Sequence, residues 1–241
     1  MSSRLPLQAI DAGASVTQLT YEALKQAIMR MPIYDAEADL RIDERGLAED
    51  LRVSRTPIRE AIARLEHEGL VRTVPRRGTY VVRKSRAEVI DGIMASAALE
   101  GVAALMATER ASDEEIASLR EIFTGFSPES DLAAKVDEYS VANVDFHRRI
   151  IELSKSAVVA RSVEGLRIHV QAIRRRTIRE HERFMRSIVD HLAIIEAMEA
   201  RDGERAERLV REHAMGLAAH VRDHVHYLGE GGPEEVPQAD E

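Results

Sequence analysis

The 241-residue chain has no cysteine and no tryptophan, and aromatic residues make up only 4% of it. The first absence excludes disulfides and thiolate metal sites and suits a reducing compartment. The scarcity of aromatics, beside abundant Ala, Leu, Ile, Glu and Arg, favours helices over sheets. There is no signal-peptide pattern and no apolar run that reads as a membrane span, so the expectation is a soluble cytoplasmic protein. What is present is a hydrophobic content of 44%, enough for two modest domains with real cores. The opening stretch, 1–16, is polar and broken, and the acidic end, 229–241, is rich in Gly, Pro and Glu; both are predicted to be disordered.

Acidic residues outnumber basic ones, 42 to 34, for a net charge of −8. The excess is unevenly spread. Between Leu51 and Lys84 nine basic residues face three acidic ones, a local +6 that leaves −14 for the rest. A basic patch on an acidic protein directs an anionic partner to one surface.

That patch sits on a recognisable layout. Residues 17–30 read as an amphipathic helix that Pro32 terminates. Asp43 can cap a short helix carrying Leu47, Ala48 and Leu51. After a tight turn, Ser54 is placed to cap a third helix, with Pro57 tolerated in its first turn and Gly69 ending it. In this helix Ile58, Ala61, Ile62 and Leu65 fall at i, i+3, i+4 and i+7, committing one face to a core. Two β-branched runs around "PRRG" then predict a hairpin. The sum is a winged helix-turn-helix spanning 17–84. In that arrangement Arg55 and Arg59 lie one turn apart at the start of the recognition helix, able to reach bases or backbone. Arg76, Arg77 and Gly78 form the hairpin tip. Singly, each arginine reads as solvent decoration; four together with Gly78 at these positions read as a DNA-binding surface.

The stretch "LAEDLRVSRTPIREAIARLEHEGLVRTVPRRGTYVV" resembles the N-terminal domain of GntR-type transcription regulators, in which a "VSRTPxREAL…L…GL" core is highly specific. The resemblance implies Arg45, Arg55, Thr56, Arg59 and Gly78 as DNA-contacting positions. One departure lies upstream, where "IYDAEADL" replaces the usual Pro-Gly turn and predicts an altered loop.

From Ser85 onward the pattern is helical throughout. Ser85 with Glu88 and Ser112 with Glu115 are capping boxes, and the following amphipathic segments predict an all-α antiparallel bundle over 85–228. The whole is thus mostly α, with the winged domain first and the bundle second. In the bundle, Asn143 and His147 share a helix face at i, i+4, as metal ligands on one helix require. His191 and His213 sit on two later helices. Three imidazoles and one oxygen ligand suit a cation such as Zn²⁺ or Ni²⁺ if the helices converge. The other six histidines read as boundary residues on amphipathic helices.

The segments "VDFHRRIIELSKS", "VDHLAIIEAMEARDGERAERLVREH" and "LEGVAALMA" resemble FCD, the ligand-binding helical domain of the FadR subgroup. The resemblance implies that Asn143, His147, His191 and His213 hold a divalent metal and that a small carboxylate effector completes its coordination. Asn143 stands where an acidic residue is usual, which removes a charge from the ligand set. Ser96 stands where an arginine is common, which suggests a different effector or a different anion anchor, with Arg174, Arg175 and Arg176 as nearby candidates.

The leading reading is a ligand-responsive transcription regulator, by default a repressor, that binds a short palindromic operator as a homodimer. A metal-dependent hydrolase lacks a general base here: there is no H-E-x-x-H, nucleophile elbow or Gly-rich phosphate loop. A pure protein-interaction module has no need of an arginine-rich recognition face.

Overall fold

The computed structural model describes residues 15–35, 37–126 and 132–228. Of the stretches expected to be disordered, 1–14 and 229–241 lie outside those residues, while Val16 already opens a helix. The described chain packs into two compact units. Among the described residues, one comprises 15–28 and 40–82; the other comprises 29–35, 37–39, 83–126 and 132–228. Residues 29–39 thus pack with the helical unit, although their sequence lies inside the 17–84 stretch read as the winged domain.

The first unit contains most of α1 (Val16–Arg30), then β1 (Arg41–Ile42), α2 (Glu44–Asp50), α3 (Arg55–His67), β2 (Val71–Val74) and β3 (Gly78–Val81). Asp43 caps α2, its carboxylate accepting from the Arg45 backbone N–H. Leu47, Ala48 and Leu51 of the α2 region are only half-buried. On α3 the i, i+3, i+4, i+7 face is fully committed: Ile58, Ala61 and Leu65 have no exposed surface and Ile62 is buried. The helix ends in a Schellman arrangement. Gly69 takes a φ of +72°, and the N–H groups of Gly69 and Leu70 bond back to the carbonyls of Glu66 and Leu65. α1 is tied to α3 by Tyr21 and Lys25, both bonded to Glu68.

The hairpin is one part of a three-stranded antiparallel sheet of order β1-β3-β2. Sequence reading missed β1, because two residues cannot show an alternation; its pairing is Arg41 with Tyr80 and Ile42 with Thr79.

The second unit holds α4 (Arg86–Arg110), α5 (Asp113–Glu121), α6 (Leu132–Leu153), α7 (Ala157–Thr177), α8 (His181–Glu199) and α9 (Gly203–His224). Both capping boxes form, at the starts of α4 and α5. α4 is the central helix, packed against α6, α7 and α9. Small residues let α9 come close: a Cβ on Gly101 would sit 2.9 Å from the Arg211 Cγ. Among the described residues α4 alone is long and apolar enough to cross a membrane by length and composition, contrary to the sequence reading. Its apolar surface is instead used inside the bundle, where Ser96 and Glu100 are also buried.

Candidate functional site

Two groups of side chains stand out, one in each unit. In the first unit Arg55 and Thr56 open α3 and Arg59 follows one turn on, all exposed. The Arg59 side chain is 68% exposed, with Glu44 at 3.8 Å. Ser54 occupies the N-cap with extended backbone, but its hydroxyl makes no capping bond. That corrects the expected capping role and leaves an exposed hydroxyl beside the arginines. Arg45 on α2 is exposed and pairs with Glu49.

At the hairpin tip the Arg77 N–H bonds to the Val74 carbonyl, closing a turn with Pro75 and Arg76 at its centre. Arg76 has φ +65°, a conformation that turns normally give to glycine or asparagine. Gly78 follows at φ +111°. An arginine in that place stores backbone strain to project its side chain outward. Arg41 on β1 was missed by sequence reading. Its Nε lies 3.4 Å from where a Cβ on Gly78 would be, so it adds to the basic tip.

In the second unit, α6, α8 and α9 bring His147, His191 and His213 together. One nitrogen from each lies within 4.8 Å of the others, and all three rings are buried. The convergence that spacing alone left open is therefore a feature of the fold. Each Nδ1 is engaged by a neighbour. His147 Nδ1 faces Glu100 Oε2 at 2.7 Å, His213 Nδ1 faces Asp190 Oδ2 at 2.9 Å, and His191 Nδ1 faces the Tyr139 oxygen at 3.0 Å. Tyr139 donates its own proton to Ser187 Oγ, so its oxygen is left to accept from His191. This turns the Nε2 lone pairs inward, as carboxylate–histidine–metal arrangements require. Nε2 of His147 and of His191 are buried with no partner, and so is the Asn143 Oδ1 one turn before His147.

Electrostatics keep these rings neutral. Burial, then the Arg174 charge, pushes His147 down to about 4. Burial also lowers His213, and lowers His191 far below the usual imidazole range. Burial alone would raise the Glu100 carboxyl, but Arg174 and His147 hold it well below the ordinary range. Three neutral imidazoles and an amide oxygen form a donor set that fits a borderline divalent cation.

The two arginines expected to anchor an effector are used otherwise. Both Nη atoms of Arg174 bond to the Glu100 carboxylate, while Arg175 donates to the Met29 backbone carbonyl. Glu100, Asp190 and Tyr139 went unnoticed in the sequence. The available signal for Glu100 was a lone carboxylate in the apolar run "SAALEGVAALM".

Comparison with known proteins identifies both units. Residues 91–215 match the FCD domain model, and residues 17–81 match that of the bacterial regulatory proteins, gntR family. The chain belongs to the gntR family. A curated relative is the HTH-type transcriptional repressor RspR of Escherichia coli K12, 24% identical over 86% of this chain and 89% of that protein. Another is the probable D-xylose utilization operon transcriptional repressor of Paenarthrobacter nicotinovorans, 26% identical over 82% of this chain and 84% of its own length. Among solved structures, E. coli McbR/YncC shares the fold with a TM-score of 0.70 at 20% identity, covering 87% of this chain and 98% of that one. The gntR-type unit implies a DNA partner and the FCD unit a small-molecule effector. This is a family of transcription regulators, not one defined by a reaction.

Proposed function

We propose that this gntR-family regulator is a cytoplasmic repressor that binds a short palindromic operator as a homodimer. In this reading Arg55, Thr56 and Arg59 read base edges, while Arg45, Ser54, Arg76, Arg77 and Gly78 meet the backbone. The FCD unit holds a divalent metal, Zn²⁺ or Ni²⁺, through Asn143, His147, His191 and His213. When bound, the cation offers a small carboxylate effector an open coordination position. The chain's own residues orient the donors: Glu100 fixes His147, Asp190 fixes His213 and Tyr139 fixes His191. The repressor assignment follows the names of the two curated relatives.

The observation that carries the metal reading is the set of buried, unpartnered acceptors: Nε2 of His147 and His191, and Oδ1 of Asn143. Such groups are costly to bury without a partner. Elemental analysis of parent and His191→Ala, at matched helix content, tests this part, and equal metal content would remove His191 from the site. The DNA part is tested by selecting bound fragments of the source genome at two salt concentrations. Enrichment of palindromic sites supports it, with affinity falling steeply as salt rises. No enrichment at either salt counts against it.

A further inference from the structure

The helix faces that carry His191 and His213 continue past the histidine cluster. On α8, Arg183, Ser187 and His191 are spaced four apart; on α9, Gly216 and His220 follow His213. A cavity of about 570 Å³ opens here, lined chiefly by Glu180, Arg183, Arg186, Gly216, His220 and Asp223.

Arg183 is only 8% exposed, its Nε has no partner, and among the described residues it forms no ion pair. This contrasts with the similarly buried Arg174, whose charge Glu100 meets. Arg186 makes no ion pair among the described residues either. The two guanidiniums nonetheless converge. A Cβ on Gly216 would lie 3.9 Å from Arg183 Nη1 and 3.8 Å from Arg186 Nη2. Two like charges directed at one bare stretch of backbone repel each other unless an anion lies between them. Of the acids nearby, Glu180 contacts His220 and Asp190 is bonded to His213; both attract Arg183 from beyond ion-pair distance, and Asp223 lines the cavity without an ion pair to either arginine among the described residues. The first turn of α8, which carries Arg183, adds the partial positive charge of a helix start.

We propose that this cavity is a second small-anion site, separate from the metal centre, in which Arg183 and Arg186 grip a carboxylate or phosphate group over Gly216. Guanidinium forks match either oxyanion bidentately. The absent side chain at Gly216 leaves the oxygens room. Glu180, His220, Asp223 and His224 elsewhere in the lining can hydrogen-bond the body of such a ligand.

The test uses the full chain, stripped of metal on a chelating resin. Thermal unfolding and calorimetric titration are run with inorganic phosphate and with succinate, against sodium chloride at equal ionic strength. We expect one or both oxyanions, but not chloride, to raise the melting temperature. A response to phosphate alone marks a phosphoryl ligand and a response to succinate alone marks a carboxylate; either supports the site. Arg186→Gln, at an exposed position, should weaken binding at least tenfold. Arg183→Met should abolish it and, having lost an unpaired buried cation, should melt above the parent in anion-free buffer. The same titrations are repeated on chain reloaded with Zn²⁺. The proposal is overturned if neither oxyanion stabilises the stripped parent, if Arg186→Gln binds as the parent does, or if only the zinc-loaded chain responds, which would place the anion at the histidine cluster.

Discussion

The Arg174 guanidinium meets the Glu100 carboxylate at 2.9 Å, with the two side chains only 4% and 3% exposed. Such a pair is balanced while intact and costly when halved. Glu100→Gln is expected to lose on the order of 3–5 kcal/mol in urea denaturation, since it strands a buried cation. The double variant Glu100→Gln/Arg174→Met should recover part of that loss. A double variant no more stable than Glu100→Gln alone would show that charge is not the cause.

Arg59 stands one turn into α3 on the face opposite the core. Arg59→Ala should lose about 1–3 kcal/mol of operator binding and relax base preference at one position per half-site. Competition binding with single-base operator variants measures both effects, and an unchanged preference removes Arg59 from base reading.

Arg76 allows backbone strain to be separated from recognition. Arg76→Gly relieves the positive φ, so thermal stability should hold or rise by up to about 1 kcal/mol. Operator affinity should nevertheless fall, with a shallower dependence on salt because a phosphate contact has gone. If affinity and salt slope both stay at parental values, the wing tip does not touch DNA.

His169 gives a pH dependence that can be read by difference. Its Nδ1 lies 2.9 Å from the Tyr34 hydroxyl, and burial followed by the Lys84 charge lowers its pKa to about 4. The unfolded chain, with an ordinary imidazole, takes up this proton first as pH falls. The stability contributed is therefore full above about pH 6.5 and is lost on descent towards 4, on the order of 3 kcal/mol in all. Other buried histidines add to the parent's slope. The test is accordingly the difference between parent and His169→Gln in urea midpoints at pH 7, 5.5 and 4.5. The variant should show the flatter profile; parallel profiles would contradict the assignment.

Local features of the fold were legible because their causes are local. The α3 core face, the Gly69 terminus and both capping boxes each depend on residues within one or two turns of each other. The pairing of Asn143 with His147 is of the same kind. The meeting of His147 with His191 and His213 is not, since it depends on how three helices pack; there the family resemblance supplied what spacing could not. Sequence reading failed where a side chain had a distant alternative. Arg174 and Arg175 in "RRR" read as effector anchors, but Glu100 and the Met29 carbonyl, far off in sequence, accept their hydrogen bonds. Ser54 had the right residue type and backbone for a cap, yet hydroxyl direction is not written in either.

The packing of residues 29–39 with the helical unit bears on modular exchange of parts. Ile33 is fully buried there, Tyr34 bonds to His169, and Arg83 donates to the carbonyls of Ile33 and Asp35. A chimera joined at a single point after residue 84 would therefore import a foreign segment into the sensor's own core. A clean transplant of the DNA-reading head needs three seams, near 28, 39 and 82, with Ile33 and Tyr34 left behind in the recipient.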